Sequence, residues 1–143
     1  MNNELKVAES IEISADRTKV WDALVNPEKI KVYLFGTQAS SNWTKGAEIV
    51  FQGEFQGQKY RDKGIILEII ENEVLQYHYW SAFTGLEELP ENYSLVTYRL
   101  DSINGNTRLF LSQVGFVNEQ SQQHSQAAWA SILQEIKAMT EKE

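Results

Sequence analysis

The sequence predicts an α+β fold in which a curved antiparallel sheet wraps around a long C-terminal helix. The final helix is predicted over Glu119 to Lys142, and it has an apolar stripe at helical spacing. The residues of that stripe are Trp129, Ile132, Leu133, Ile136 and Met139. Several earlier segments alternate apolar and polar residues, which is the period of strands. Because one helix cannot bury such a stripe alone, we expect it to pack on the apolar face of the sheet.

A strand and two short helices are predicted before the rest of the sheet. Apolar residues alternate with mostly polar ones from Leu5 to Ile13, which predicts a strand with one apolar face. Ser14 or Asp16 can cap a short amphipathic helix that follows. The run Asn26-Pro27-Glu28 supplies a cap, a first-turn proline and a first-turn acid for a second helix. We expect that helix to end at Gly36.

After the second helix the period changes to two, which predicts successive antiparallel strands. The segment GEFQG, Gly53 to Gly57, and the polar run after it are interpreted as a turn or bulge, and the acidic segment GLEELPEN as a solvated loop or a lid. Asn104-Gly105-Asn106 is typical of a tight hairpin. The predicted strands contain Ile49 and Phe51, Gly64 to Ile70, Leu75 to Tyr79, Val96 to Leu100, and Leu109 to Gly115.

The bulk properties indicate one domain over residues 1–143 and exclude several classes of partner. The chain is 42% hydrophobic and 23% charged, and it contains no cysteine, which excludes disulfides and thiolate chemistry. Its net charge of -7 disfavours nucleic acid and anionic membranes as partners. We expect neither a signal peptide nor membrane insertion, because no apolar run approaches the required length. A cytoplasmic location is the resulting expectation.

Aromatic residues in the predicted strands and the last helix are the first candidates for a binding site. Their functional interpretation is a cavity lined with rings and a few hydroxyl groups. The alternative is a filled core with tyrosine hydroxyls near the surface. Tyr77, Tyr79 and Trp129 are the strongest candidates, because their parity in the strands or place on the stripe points inward. The full set is Trp43, Phe51, Tyr60, Tyr77, Tyr79, Tyr98, Phe110 and Trp129.

The polar start of the last helix is a second candidate. Continuing the stripe backwards from Trp129 reaches Ser125 and Gln122, and continuing it forwards reaches Leu133. The two polar residues are interpreted as the mouth of the cavity or, alternatively, as solvated first turns. Leu133 completes the predicted cavity set.

Metal binding and catalysis have little support in the sequence. His78 and His124 are its only histidines, neither has a second ligand at a metal-like spacing, and His78 is expected to face outward. Charged residues in the predicted strands are expected on the outer, salt-bridged face, although a buried carboxylate among them would be a general-base candidate. Those residues are Arg61, Asp62, Glu68 and Arg99. We therefore assign no catalytic residue, no metal and no cofactor.

Five short motifs in order resemble one superfamily across nearly the whole chain. They are Val20-Trp21-Asp22-Ala23-Leu24; Gly64 with Ile66-Leu67-Glu68-Ile69; Leu75, Tyr77 and Tyr79; Thr107-Arg108 with Gly115-Phe116; and Trp129 through Ile132, Leu133, Ile136 and Lys137. The pattern resembles the helix-grip (SRPBCC) superfamily of START lipid-transfer domains, polyketide cyclases and birch-pollen-allergen-like proteins. Its closest match is the family named after the activator of the heat-shock protein 90 ATPase. Ala128 replaces a family glycine, and Tyr79 followed by Trp80 replaces a family tryptophan.

The resemblance implies a ligand cavity between the sheet and the last helix. The first hypothesis is therefore a protein that binds a lipid-like or aromatic small molecule without catalysis. The second is a protein-partner module; eukaryotic activators make part of their chaperone contact through a separate N-terminal domain, so ATPase activation is not expected of a chain that begins with the helix-grip strand. The third is an enzyme of the cyclase or hydrolase kind, which requires an inward ionisable group beside the rings.

Overall fold

The computed structural model describes residues 1–142, and within them one seven-stranded antiparallel sheet is packed against α-helices. This confirms the predicted helix-grip α+β class. The strands are β1 (Asn2–Ile13), β2 (Gln38–Ser41), β3 (Glu48–Phe55), β4 (Gln58–Ile70), β5 (Val74–Trp80), β6 (Ser94–Ile103) and β7 (Asn106–Phe116). The helices are α1 (Arg17–Val25), α2 (Pro27–Tyr33) and α3 (Glu119–Glu141), with short 3-10 turns at Ala82–Thr84 and Pro90–Asn92.

The sheet has the order β1-β7-β6-β5-β4-β3-β2, so β1 and β2 form its two edges. Strands β2 to β7 pair with their neighbours in sequence, and β1 pairs with β7. The α1–α2 pair connects the two edges. No helix within residues 1–142 is long and apolar enough to cross a membrane.

Side-chain caps define where each helix begins. Of the two predicted caps for α1, Asp16 is the one used, and its side chain accepts a hydrogen bond from the Lys19 amide. Asn26 caps α2 as predicted, and its side chain accepts from the Glu28 amide. Each cap satisfies a backbone donor that the first turn of the helix leaves without a partner.

The apolar stripe of α3 packs on the sheet as predicted. Ile136 is fully buried, and Trp129, Ile132 and Leu133 retain less than a tenth of their exposure. The stripe ends at Thr140, whose hydroxyl donates to the Ile136 carbonyl inside the core. Burial of this stripe together with the inner faces of the strands forms one continuous core.

Three hydrogen bonds join the polar margin of α3 to β1. Gln122 donates to the Lys6 carbonyl at 3.0 Å, Lys137 to the Glu12 carbonyl at 2.9 Å, and the Ser14 amide to the Glu141 carboxylate at 2.7 Å. Both elements therefore run in the same direction. The helix rises about 28 Å from Gln122 to Glu141, and the strand spans about 26 Å from Lys6 to Ser14. The matched lengths allow contact along the whole edge.

The structure adds one strand that was not predicted and moves several of the predicted boundaries, including the end of β3, which extends to Phe55 inside the predicted turn. Strand β2 was not predicted, because its sequence is short and polar and only Ala39 is buried in it. Strand β4 begins at Gln58 rather than Gly64, since the polar run pairs with β3 after a tight turn in which Gln56 and Gly57 both have positive φ. Helix α2 ends at Tyr33, because Phe35 and Gly36 adopt positive φ.

Glycine allows a close approach of side chains at one position in the core, Gly64. A Cβ atom at Gly64 would lie 3.1 Å from the His78 carbonyl oxygen and 3.3 Å from the Tyr77 ring. The absence of a side chain therefore lets the Tyr77 and Phe51 rings approach the middle of β4. The predicted hairpin between β6 and β7 is also present, with Asn104 and Gly105 at φ of 51° and 84°.

Truncation of the α3 stripe tests how much stability the helix–sheet contact contributes. Ile136→Ala should lower the free energy of unfolding by about 3 kcal/mol, because it removes a fully buried branched side chain and leaves a cavity. Chemical denaturation checks this. The neighbouring exposed Glu135→Ala is the matched control and should change stability by less than about 0.5 kcal/mol. Equal effects of the two variants would contradict the packing described.

Candidate functional site

A pocket of about 430 Å³ lies between the inner face of the sheet and the helices, and we call it the apolar pocket. Strands β3 to β7, the segment after α2 and helix α3 all contribute to its walls. Its volume falls in the range typical of small-molecule sites, roughly 300 to 1,000 Å³. It is lined by Leu34, Phe35, Thr37, Phe51, Glu54, Phe55, Tyr60, Asp62, Tyr77, Tyr79, Phe83, Val96, Gln113, Trp129 and Ile132.

Aromatic rings form the inner wall of the apolar pocket. The Phe51 ring lies 5.9 Å from the ring of Tyr77 and 5.6 Å from that of Tyr79, the latter edge to face. Trp129 approaches from α3, and its ring meets Tyr98 edge to face at 5.9 Å. These separations are those of stable aromatic pairs. The rings are thus fixed by contacts with one another and still present a surface to the pocket.

Phenylalanines form the rim of the apolar pocket. Phe83 packs on Tyr60 at 5.6 Å and on Phe55 at 6.4 Å between ring centroids. Phe35, Phe55 and Phe83 are all more than half exposed. Deeper at the same side, the hydroxyl groups of Tyr60 and Thr37 share a hydrogen bond. The mouth of the pocket is therefore apolar and open.

Asp62 places a carboxyl group at the apolar pocket, which corrects the expectation of an outward position. It is only 4% exposed, and its Oδ2 accepts a 2.7 Å hydrogen bond from the Tyr79 hydroxyl. The other oxygen, Oδ1, is buried and has no hydrogen-bond partner of good geometry. The reason for the inward position is register: Asp62 pairs with Phe51 of β3, whose ring is also inward. Asp62 is therefore a candidate for the inward ionisable group that the third hypothesis, an enzyme of the cyclase or hydrolase kind, requires.

Burial governs the protonation of the Asp62–Tyr79 pair. Desolvation raises the pKa of Asp62, while the Tyr79 hydrogen bond and the nearby Ser81 side chain and Ala82 amide partly oppose that rise. Desolvation also raises the pKa of Tyr79 well above its usual value, and the Asp62 charge adds to the effect. Tyr79 therefore remains a proton donor to Asp62 throughout the neutral range.

The charged residues of the apolar pocket have a single sign. Asp62 and the exposed Glu54 are acidic, and no lysine, arginine or histidine among residues 1–142 lines the pocket. The nearest ion pair on β4 joins Lys63 to Glu88 at 3.3 Å, and Lys63 has the opposite strand parity to Asp62. The buried carboxyl group thus lacks a cationic partner inside the pocket.

A second pocket of about 500 Å³ adjoins the apolar pocket and shares Tyr79, Phe83 and Gln113 with it. Its walls combine apolar residues with a group of polar ones, and we call it the polar pocket after the latter: Ser81, Ser94, Gln120, Ser121, His124 and Ser125. Gln113 separates the two. Its side-chain oxygen accepts from the Trp129 indole at 2.7 Å, and its amide donates to the Ser94 hydroxyl at 3.1 Å. This chain of hydrogen bonds satisfies the one polar group of Trp129 and fixes the orientation of its ring.

Half of the ten residues predicted for the cavity line the apolar pocket: Phe51, Tyr60, Tyr77, Tyr79 and Trp129. The structure places the other half elsewhere. Trp43 and Tyr98 border a residual void of only about 10 Å³, where the rings fill the core. Gln122 bonds to β1, Leu133 is buried in the core, and Ser125 lines the polar pocket.

Sequence reasoning missed Gln113 and Phe83 as residues of the site, and it named Asp62 as a general-base candidate only if buried, while expecting it on the outer face. Asp62 was detectable, because it follows Tyr60 by two residues and therefore has the same inward parity. The predicted start of β4 at Gly64 concealed that signal. Gln113 and Phe83 had no comparable signal, since one is a polar residue near a strand end and the other belongs to a short turn.

Two other expectations concern residues on the outer face. His78 lies there as predicted and its ring packs edge to face on Tyr93 at 6.5 Å. The acidic loop also contacts that face through Glu88, which pairs with Lys63 and accepts from the Tyr93 hydroxyl. It is the preceding Phe83, rather than the acidic segment, that borders the pocket.

Within residues 1–142 no group of His, Asp or Glu is arranged to hold a metal ion.

An antiparallel sheet with a long C-terminal helix across it, and a pocket between the two, defines a helix-grip domain. The chain matches the family described as activator of Hsp90 ATPase homolog 1-like protein over residues 14–141. It therefore belongs to that family. No curated protein matches the chain significantly.

Solved structures agree with this assignment. The chain is 41% identical to ChR145 from Cytophaga hutchinsonii, with a TM-score of 0.84 over 99% of this chain and 97% of that one. Protein MLL2253 from Mesorhizobium loti is 20% identical, with a TM-score of 0.78 over 96% and 97%. The Aha1 dimer from Colwellia psychrerythraea is 16% identical, with a TM-score of 0.74 over 95% and 96%. At their lower identities the last two show the fold alone.

The desolvated carboxyl group should give the protein a distinctive dependence of stability on pH. Because the pKa of Asp62 is raised in the folded state, the folded protein holds this proton more tightly than the unfolded chain does. The contribution of Asp62 to stability is therefore present at low pH and is lost as pH rises from the ordinary value of 3.8 through the folded-state pKa.

Thermal unfolding of the native protein and Asp62→Asn between pH 3.5 and 7.5 measures this effect. The Tm of the variant minus the Tm of the native protein should increase with pH, since the variant does not bear the cost of a buried charge. Other carboxyl groups cancel in this difference. A difference that is constant over the range would show that Asp62 is not desolvated.

Proposed function

We propose that this chain is a small-molecule binding protein that holds an apolar, aromatic or lipid-like ligand in the apolar pocket. The observation that carries the proposal is the ring-lined wall of Phe51, Tyr77, Tyr79 and Trp129 around a space of about 430 Å³. Rings of this kind supply large apolar contact area at a low cost in conformational entropy, because each has few rotatable bonds.

The open rim supports the same proposal. Phe35 is 73% exposed, and Phe55 and Phe83 are each 59% exposed. Large apolar side chains that are exposed together, rather than singly, are typical of a binding site. All three border the mouth of the pocket. An entering apolar ligand would cover part of this surface and gain free energy in proportion to the area removed from water.

Amide NMR spectroscopy tests the proposal with neutral probes, namely 1-naphthalenemethanol, decanol and flavone. Binding should shift the indole N–H signal of Trp129 saturably, because that ring lines the pocket. The indole of Trp80 is the internal control, since it bonds to the Leu86 carbonyl on the other side of the strand. Shifts at Trp80 alone, or no shift with any probe, would contradict the proposal.

Two matched variants locate the binding further. Trp129→Phe should weaken probe binding roughly fivefold, which corresponds to about 1 kcal/mol, because a smaller ring loses contact area. The affinity is measured in both variants from the backbone amide signals of Tyr77 and Val96, which also line the pocket. Trp80→Phe should leave the affinity unchanged. A similar loss in both variants would indicate a general effect on folding rather than a contact in the pocket.

A second candidate function is an enzyme of the cyclase or hydrolase kind, and the position of Asp62 is the observation that favours it. A carboxylate of raised pKa in an apolar pocket is a typical general base. Hydrogen–deuterium exchange at the α-carbon of 2-tetralone in D₂O tests this, since the base would take the α-proton and solvent would return a deuteron. Exchange should be faster with the native protein than with Asp62→Asn, and equal rates would exclude this role.

The remaining expectations from the sequence stay predictions. Contact with a chaperone is suggested by the family description alone, and no feature of the pocket favours it. A cytoplasmic location stays an expectation from the sequence, and the acidic composition disfavours nucleic acid as a partner.

A further inference from the structure

We propose that the ligand of the apolar pocket carries a protonated amine, which binds the free Oδ1 atom of Asp62 while its apolar body lies against the rings. This inference rests on the proposed function and names the chemical class of the ligand. An apolar cavity alone would also admit lipids that carry a carboxylate, and this inference excludes them.

The first step of the argument is the unsatisfied oxygen. Asp62 is 4% exposed, and its Oδ1 has no hydrogen-bond partner of good geometry within the protein. A buried acceptor without a partner is costly, and such atoms are rare in folded proteins. The Ser81 side chain and the Ala82 amide lie close enough to affect the pKa of this carboxyl group, yet neither makes a well-formed hydrogen bond to Oδ1. Asp62 is one of the residues that line the pocket, so a ligand donor placed there lies beside its carboxyl group.

The second step is the charge of that donor. The Tyr79 hydroxyl already supplies a neutral donor to Oδ2 at 2.7 Å, yet it leaves the carboxyl group without a positive partner. No lysine, arginine or histidine in the described chain lines the pocket, whereas Glu54 adds a second acidic group at the rim. A cation is the ligand group that complements this arrangement, and an anion is the group that it disfavours.

The third step is the surroundings of the carboxyl group. Tyr79 bonds to Asp62, and Phe51, paired with Asp62 across the strands, lies 5.6 Å from the Tyr79 ring. Aromatic faces attract organic cations through their quadrupoles, most strongly where water is excluded. A carboxylate beside several rings therefore favours an ammonium group over a neutral hydroxyl group on the same apolar body.

Three probes with one skeleton separate the charge of the ligand from its apolar body: 1-naphthylmethylamine, 1-naphthalenemethanol and 1-naphthoate. Affinities are measured at pH 7 from the Trp129 indole signal. The amine should bind at least tenfold more tightly than the alcohol, and the naphthoate should bind most weakly. This comparison uses the native protein alone, so it does not depend on whether a variant folds.

Two charge-removing variants then identify the residue responsible. Asp62→Asn should reduce the affinity for the amine at least tenfold and change that for the alcohol less than threefold, which also verifies that the pocket is intact. Glu71→Gln removes one exposed negative charge that does not line the pocket, and it should change the affinity for the amine less than threefold. Equal losses in the two variants would indicate a general effect of net charge and overturn the assignment to Asp62.

The outcomes distinguish this inference from the function on which it rests. If the alcohol or the naphthoate binds at Trp129 as tightly as the amine, the apolar pocket binds ligands but the inference about the amine is wrong. If none of the three probes moves the Trp129 indole signal, both the inference and the proposed function are contradicted.

Discussion

The contact between α3 and β1 determines where a pocket can form between the last helix and the sheet. Hydrogen bonds from Gln122, Lys137 and Ser14 hold the helix along one edge strand over its whole length. The sheet continues from that edge through five more strands to β2, which is far from the helix in the strand order. Because a twisted sheet curves away from a straight helix, the gap widens toward the strands in the middle and far half of the sheet. Aromatic side chains fill part of this gap, and the apolar pocket is the remainder.

Side chains fill the gap between helix and sheet almost completely at one end and only partly at the other, and the difference has a local cause. Near Tyr33, Trp43 and Tyr98 the rings meet the first helices and leave a void of only about 10 Å³. Further along the sheet, α2 has ended and the chain turns through Phe35 and Gly36 at positive φ. The pocket is bordered there by Phe35 and Phe83, from the segments after α2 and β5, and by Trp129 of α3. One set of inward residues thus forms a close-packed core at one end and a site at the other.

The sequence predicted the order of elements because their periods are unambiguous. Each of three patterns is typical of a single kind of element. The α3 stripe indicates a helix, the β1 alternation a strand, and Asn104-Gly105 a hairpin turn. It failed where polar residues form strands, since the pairing of β3 with Gln58 to Lys63 depends on partners rather than on local pattern. That failure also concealed Asp62. Its parity with Tyr60 is the signal present in the sequence, but that signal has meaning only if Gln58 to Lys63 form a strand, which follows from their pairing with β3.

Asp62 also bears on how family and function should be connected in this protein. Membership of the family follows from a match over residues 14–141, and a shared fold is compatible with many activities. A buried carboxyl group with a free oxygen does not help the fold, because a neutral residue of similar shape would avoid its desolvation cost. Residues that lower stability without a structural benefit are expected at functional sites. The chemistry of this chain is therefore better argued from the one residue that the fold does not require than from the residues that define its family.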